Sequence, residues 1–165
     1  MSSTSNIGED KYDVLRRLRD ARRDLHALVT ESTGMRERAF APAQLVRTLR
    51  EHVSQSSIGS IHERCSRLFV LTVLLYGALD WHFAGHGIDI EADVQLERIR
   101  QDHCHGGSDA DDQLRAEDWV LRLQEQVARL EAQLASEDGY AVRLIKLTAL
   151  AQAALEAAHR RSRQK

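Results

Sequence analysis

Proline is nearly absent from this chain: Pro42 is the only one in 165 residues. Aromatic residues make up 5% of it, and its 2 cysteines are Cys65 and Cys104. Such proline poverty, set against abundant Ala, Leu, Glu and Arg, points away from loop-rich and sheet scaffolds and toward an all-α chain. Two cysteines are too few for a disulfide framework; they fit reduced thiols and a cytoplasmic location. No apolar run is long enough to cross a bilayer, which takes about 20 residues. The longest, from Leu68 to Leu79, is bracketed by Arg64 and Arg67 at one end and Asp80 and His82 at the other. The opening MSSTSNIGEDKYD lacks the basic and then apolar order of a secretion signal, so no membrane role is expected. Charge of one sign is lacking too: the formal net charge of −2 supplies no global field for nucleic acid or membrane.

What is present, 42% hydrophobic residues, suffices for the core of a single domain. Residues 1–8 are polar and Ser-rich and read as a disordered tail, ahead of one helical domain over 9–165. Within that domain 9–104 read as a bundle core, 105–112 (HGGSDADD) as a Gly/Asp linker, and 113–161 as an antiparallel helical hairpin. About six helices are expected.

The run IHERCSRLFVLTVLLYGALDWHFAGHG makes residues 61–84 the expected central helix. Only Thr72 interrupts its apolar middle, and a helix apolar on all faces must be covered on most sides. The first helix, 9–31, places Leu18, Ala21, Leu25 and Leu28 at threes and fours. A connection over 32–41 follows, and Pro42 suits the first turn of the next helix. That helix carries Leu45, Val46, Leu49 and Val53 on one side. After the central helix, Val94, Leu96 and Ile99 mark a short helix ending near His103, capped by Asp89 or Asp93. In the hairpin, Ala116, Val120, Leu123, Val127, Leu130 and Leu134 alternate at fours and threes, the signature of a coiled-coil seam. Glu137, Asp138 and Gly139 read as its turn, and Leu144, Leu147, Ala151, Ala154 and Ala158 as the return face.

Three groups of residues bear on function. The seam Val120, Leu123, Val127, Leu130 and Leu134 faces an Ala-rich return helix that gives shallow cover, so partner helices from a second copy or another protein are expected. Arg16, Arg17, Arg19, Arg22 and Arg23 form the densest basic segment and are candidates for a nucleic-acid or acidic-partner face. Asp13, Asp20 and Asp24 are interleaved with them, which equally suits a salt-bridged surface. The acidic stretch from Asp89 to Asp118 is a natural counterpart for that segment, within the chain or across a dimer. Finally, His82 and His86, followed by His103, Cys104 and His105, are the chain's densest set of soft and borderline ligands, the types zinc prefers. No cofactor other than zinc is suggested. Cys65, with His62 one turn back, has no orienting third group or oxyanion site of the kind nucleophilic catalysis needs.

Two short resemblances add alternatives. VSQSSIGSIHERCSRL, from Val53, resembles the recognition-helix segment of phage-repressor helix-turn-helix proteins. That resemblance implies that Gln55, Ser56, Ser57 and Ser60 face DNA while Ile58 and Ile61 pack inside. His52 and Glu51 depart from the pattern at positions where it has Gly and an apolar residue. Arg98 and His103 are similar in spacing to the Arg-x4-His pair of a class of helical nucleases. Together the residues favour a non-enzymatic helical interaction protein, a dimer or a small subunit of an assembly. A nucleic-acid-binding regulator and a metal-binding sensor or metalloenzyme are the alternatives.

Overall fold

The computed structural model describes residues 3–30 and 39–164. All regular structure among them is helical, an all-α bundle. Its helices are α1 (Ser3–Thr30), α2 (Pro42–Gln55), α3 (Ile61–His82), α4 (Ile90–His105), α5 (Gly107–Asp112), α6 (Ala116–Glu131) and α7 (Glu137–Arg163). Helix α1 begins inside the stretch read as a tail, and the connection predicted at 32–41 falls outside the described residues as far as 38. No helix of the described residues is long and apolar enough to cross a membrane.

Local chemistry sets the boundaries. Ser60 caps α3: Glu63 N donates to Ser60 Oγ at 3.2 Å, and Ser60 N donates to Glu63 Oε2 at 2.6 Å. This reciprocal pair satisfies backbone donors that an isolated helix start leaves open. Gly59, at φ 94°, supplies the left-handed residue that the preceding turn needs. Asp89 caps α4 through Ala92 N at 3.1 Å. Gly106, at φ 93°, ends α4 in the left-handed conformation usual for a helix C-terminus. The expected linker does not run free from there. Residues Gly107–Asp112 form α5, which packs on α7 and α4 with Asp111 buried. The expected turn at 137–139 is also displaced: Ser136 accepts from Gly139 N at 3.2 Å and starts α7.

Helix α7 lies at the middle and packs against α1, α3, α4, α5 and α6, most extensively against α3. Its residues from Ala151 to Ala158 are all buried. Small side chains let neighbouring helices approach from several directions at once. Helix α3 buries Leu68, Leu71, Thr72, Leu75, Tyr76, Gly77, Ala78 and Leu79, while Val70 is 49% exposed. It therefore covers α7 with one broad face, and the polar break Thr72 is satisfied within the helix by the Leu68 carbonyl at 2.7 Å.

At Gly77 the side chains of Leu25 and Phe40 press close against α3. A Cβ there would lie 2.7 Å from Leu25 Cδ2 and 2.9 Å from Phe40 Cζ. Ala would displace two side-chain ends; Val adds two methyl groups against the same ring. Overpacking of this size costs about 2 kcal/mol. Gly77→Val is expected to lower the urea midpoint accordingly without changing the slope, and a midpoint equal to wild type would show that α1 does not pack here.

Candidate functional site

The seam of α6 is satisfied inside the chain. Leu123, Val127 and Leu130 are at most 1% exposed, Trp119 joins them at 5%, and Val120 packs at the margin of the same core. Leu134 lies beyond the end of α6 and is 37% exposed. Helix α6 packs on α7 and on α2, so the cover expected from a second copy comes from α2. As a docking surface the seam is therefore corrected to core: the hairpin's shallow return face was compensated by a helix far away in sequence.

Four of the five arginines on the basic face of α1 are ion-paired. Arg16 pairs with Asp13 at 2.7 Å, holding that carboxyl below its usual pKa, and Arg23 pairs with Asp20 at 3.2 Å. Arg19 Nε donates to Glu91 Oε2 at 2.8 Å, and Arg22 pairs with Asp80 at 2.8 Å while lying 4.6 Å over the Tyr76 ring. Arg17 lies 5.4 Å over Phe69. The acidic middle of the chain thus meets the basic helix within one molecule, through Glu91. Phosphate contacts at Arg19 and Arg22 would have to displace those carboxylates.

The His and Cys residues do not converge. His82 lies 4.9 Å from the Phe83 ring and 5.5 Å from Tyr140, and His86 lies 6.4 Å from Phe83. His103, Cys104 and His105 are exposed at the end of α4. Among the described residues no group of three or more His, Cys, Asp and Glu side chains is arranged to hold a metal ion. Successive helical positions point about 100° apart, so three neighbours in sequence cannot close on one ion.

The helix-turn-helix resemblance fails at the residues that carry it. Gln55 ends α2 and Ser60 caps α3, so no single reading helix spans them. Ser56 is buried and donates to the Val53 carbonyl at 2.7 Å, and Ile58, implied to pack inside, is 56% exposed. At Cys65, burial pushes the thiol pKa up and His62 is exposed, an environment opposed to a nucleophile.

Helix α4 is inverted relative to expectation. Its buried face carries Ile90, Val94 and Arg98, while Leu96 and Ile99 are 66% and 65% exposed. Arg98, also the first member of the nuclease-like pair, forms a buried ion pair with Glu156, and His103 is exposed. Gln152 Nε2 donates to Glu156 Oε1 at 3.2 Å, and Tyr76 Oη donates to Gln152 Oε1 at 2.5 Å. Burial pushes Tyr76 well above the usual phenol pKa and keeps it a donor. The chain of contacts ties α4, α7 and α3 together.

Between α4, α5, α6 and α7 lies a cavity of about 360 Å³. Arg98 reaches it from α4, Arg122 from α6, and Arg143 and Lys146 from α7, with Asp111 of α5 on the same wall. A larger concavity of about 490 Å³ between α2 and α6 is floored by Val53 and Val127 and has no such gathering of cations. The sequence carried a signal for Arg143 and Lys146 that went unused. They stand three apart on a largely apolar helix with no carboxylate three or four residues to either side. A solvated ion-paired face rarely looks like that.

Comparisons of the chain with protein-family models, with curated proteins and with solved structures find no match.

Proposed function

We propose that this chain is a non-enzymatic helical interaction protein that self-associates through the outer face of α4. The observation that carries the reading is the inversion of that helix: it buries Arg98 at 5% and leaves Leu96 and Ile99 at 66% and 65% exposed. The exposed Ala92 extends the same stripe by one turn, and Ile88, 42% exposed, lies just ahead of the helix. A contiguous apolar stripe with charged flanks suits a contact surface better than solvent.

A second copy fits it by charge. Asp89 and Asp93 flank the N-terminal half of the stripe, and Arg100 and His103 flank the C-terminal half. Two copies of α4 laid antiparallel about a two-fold axis bring Asp89 and Asp93 of each toward His103 and the Glu97-paired Arg100 of the other. The opposed helix dipoles add to the attraction.

Light scattering at rising concentration is expected to reach about twice the chain mass of 18.7 kDa. Leu96→Asp and Ile99→Asp should each return the mass to that of one chain. Their stability as monomers should stay within about 0.5 kcal/mol of wild type, because both side chains are exposed there. A wild type that stays at 18.7 kDa throughout, or variants that associate as wild type does, would overturn the reading.

A further inference from the structure

We infer that the cavity between α4, α5, α6 and α7 binds a small hydroxylated anion, its acidic group held by Arg122, Arg143 and Lys146 and its hydroxyls by Gln101 and Gln126. The inference is independent of dimerisation, because the cavity lies behind the buried side of α4 and the apolar stripe on its opposite side.

The first argument is unspent charge. Four carboxylates line the cavity: Glu97 and Glu125 are already taken, by Arg100 at 2.6 Å and by Arg129 at 2.5 Å, Asp102 lies 3.7 Å from Arg98 Nη1, and Asp111 is held above its usual pKa by burial, which favours its neutral form. Arg122, Arg143 and Lys146 are half-buried, and none forms an ion pair with another described residue. Arg122 is positioned instead by Trp119, 5.9 Å from its ring. Cations on a partly enclosed wall are weakly screened, and a planar guanidinium offers paired donors matched to carboxylate or phosphate oxygens.

The second argument is unmade hydrogen bonds. Arg98 Nη1, Gln101 Oε1 and Gln126 Oε1 are buried polar atoms without a hydrogen-bond partner, and all three residues line this cavity. Arg98 is only 5% exposed, and Asp102, at 3.7 Å from Nη1, is beyond hydrogen-bond reach. Leaving such groups unpaired is costly, and all three belong to side chains that line the cavity, so an occupant met by a small rotation of each would satisfy them. The orphans specify it: one donor asks for an acceptor oxygen, and two amide oxygens ask for O–H or N–H donors. Sulfate offers the first and lacks the second, and hydrogen phosphate brings its O–H on the same small ion as its acceptor oxygens. A cavity of about 360 Å³ is also larger than such an ion needs and falls at the lower end of small-molecule sites. A sugar phosphate and a hydroxylated polycarboxylate share the required chemistry.

The test is calorimetric titration and thermal shift on the full chain with ribose 5-phosphate, citrate, inorganic phosphate and ribose as probes. Ribose 5-phosphate identifies a phosphate ligand and citrate a carboxylate one. At least one of the two is expected to raise Tm and to bind roughly tenfold or more tightly than inorganic phosphate, with ribose inert. Arg143→Gln and Lys146→Gln should each weaken that binding by about tenfold with helicity unchanged. Gln126→Leu should erase the preference over inorganic phosphate. Arg47→Gln, an exposed cation on α2 outside the cavity, should change nothing. No shift with either anion at about 10 mM would overturn the inference. So would binding indifferent to Arg143 and Lys146, or inorganic phosphate binding as tightly as both.

Discussion

Glu156→Gln is expected to cost about 3 kcal/mol and to lower Tm by roughly 10 °C. The substitution preserves shape and one acceptor oxygen, so Gln152 keeps its partner. What it removes is the counter-charge of a guanidinium whose side chain is 6% exposed. Asp102, at 3.7 Å from Nη1, compensates in part, which places the loss at the lower end for a broken buried pair. The pair itself contributes little net stability, because desolvating both charges offsets their attraction. Replacing both members, Arg98→Met with Glu156→Leu, is therefore expected to recover at least half of the loss. Thermal and chemical unfolding of the three variants decide it. A single Glu156→Gln as stable as wild type would mean that Arg98 is solvated rather than buried. An apolar pair would hold α4 to α7 at least as well as the ionic one. It would not supply a donor side chain to the lining of the cavity, as Arg98 does.

The same helix shows why the sequence was only partly legible. Apolar spacing marks α4 as a helix, but it carries two apolar sets, Ile90 with Val94 and Leu96 with Ile99. Nothing local says which set faces inward. The choice is made by Glu156, 58 residues after Arg98, which draws the arginine to the inside and turns Leu96 and Ile99 outward. Where only one apolar set exists, as at Leu45, Val46, Leu49 and Val53 of α2, the buried face is readable directly, and all four are at most 2% exposed. The basic face of α1 was half legible. Its local partners Asp13 and Asp20 stand at i±3, whereas Asp80 and Glu91 come from elements that only the fold brings near. Proximity in sequence misled in the other direction at His103, Cys104 and His105, whose helical directions diverge. The cavity was illegible because its walls come from four helices, although Arg143 and Lys146 advertised themselves by lacking acidic neighbours.

The seam gives the largest effect expected of any single change. Leu123→Asp should unfold the chain rather than dissociate it. Leu123 is fully buried on the face of α6 that meets α2 and α7. Truncating a buried Leu alone costs about 2–5 kcal/mol. An aspartate adds the penalty of a carboxylate that must either stay charged without a partner or take up a proton. The sum approaches the whole stability of a domain of this size, typically about 5–15 kcal/mol. Circular dichroism should show lost helicity at every protein concentration. The contrast with Leu96→Asp is what makes the measurement informative: the same substitution on α4 should leave a folded single chain. Two Leu→Asp changes on two helices that both pack on α7 thus separate a core face from a contact face. If Leu123→Asp instead stayed folded and merely halved the mass in solution, the seam of α6 would be the dimer interface and α4 would not.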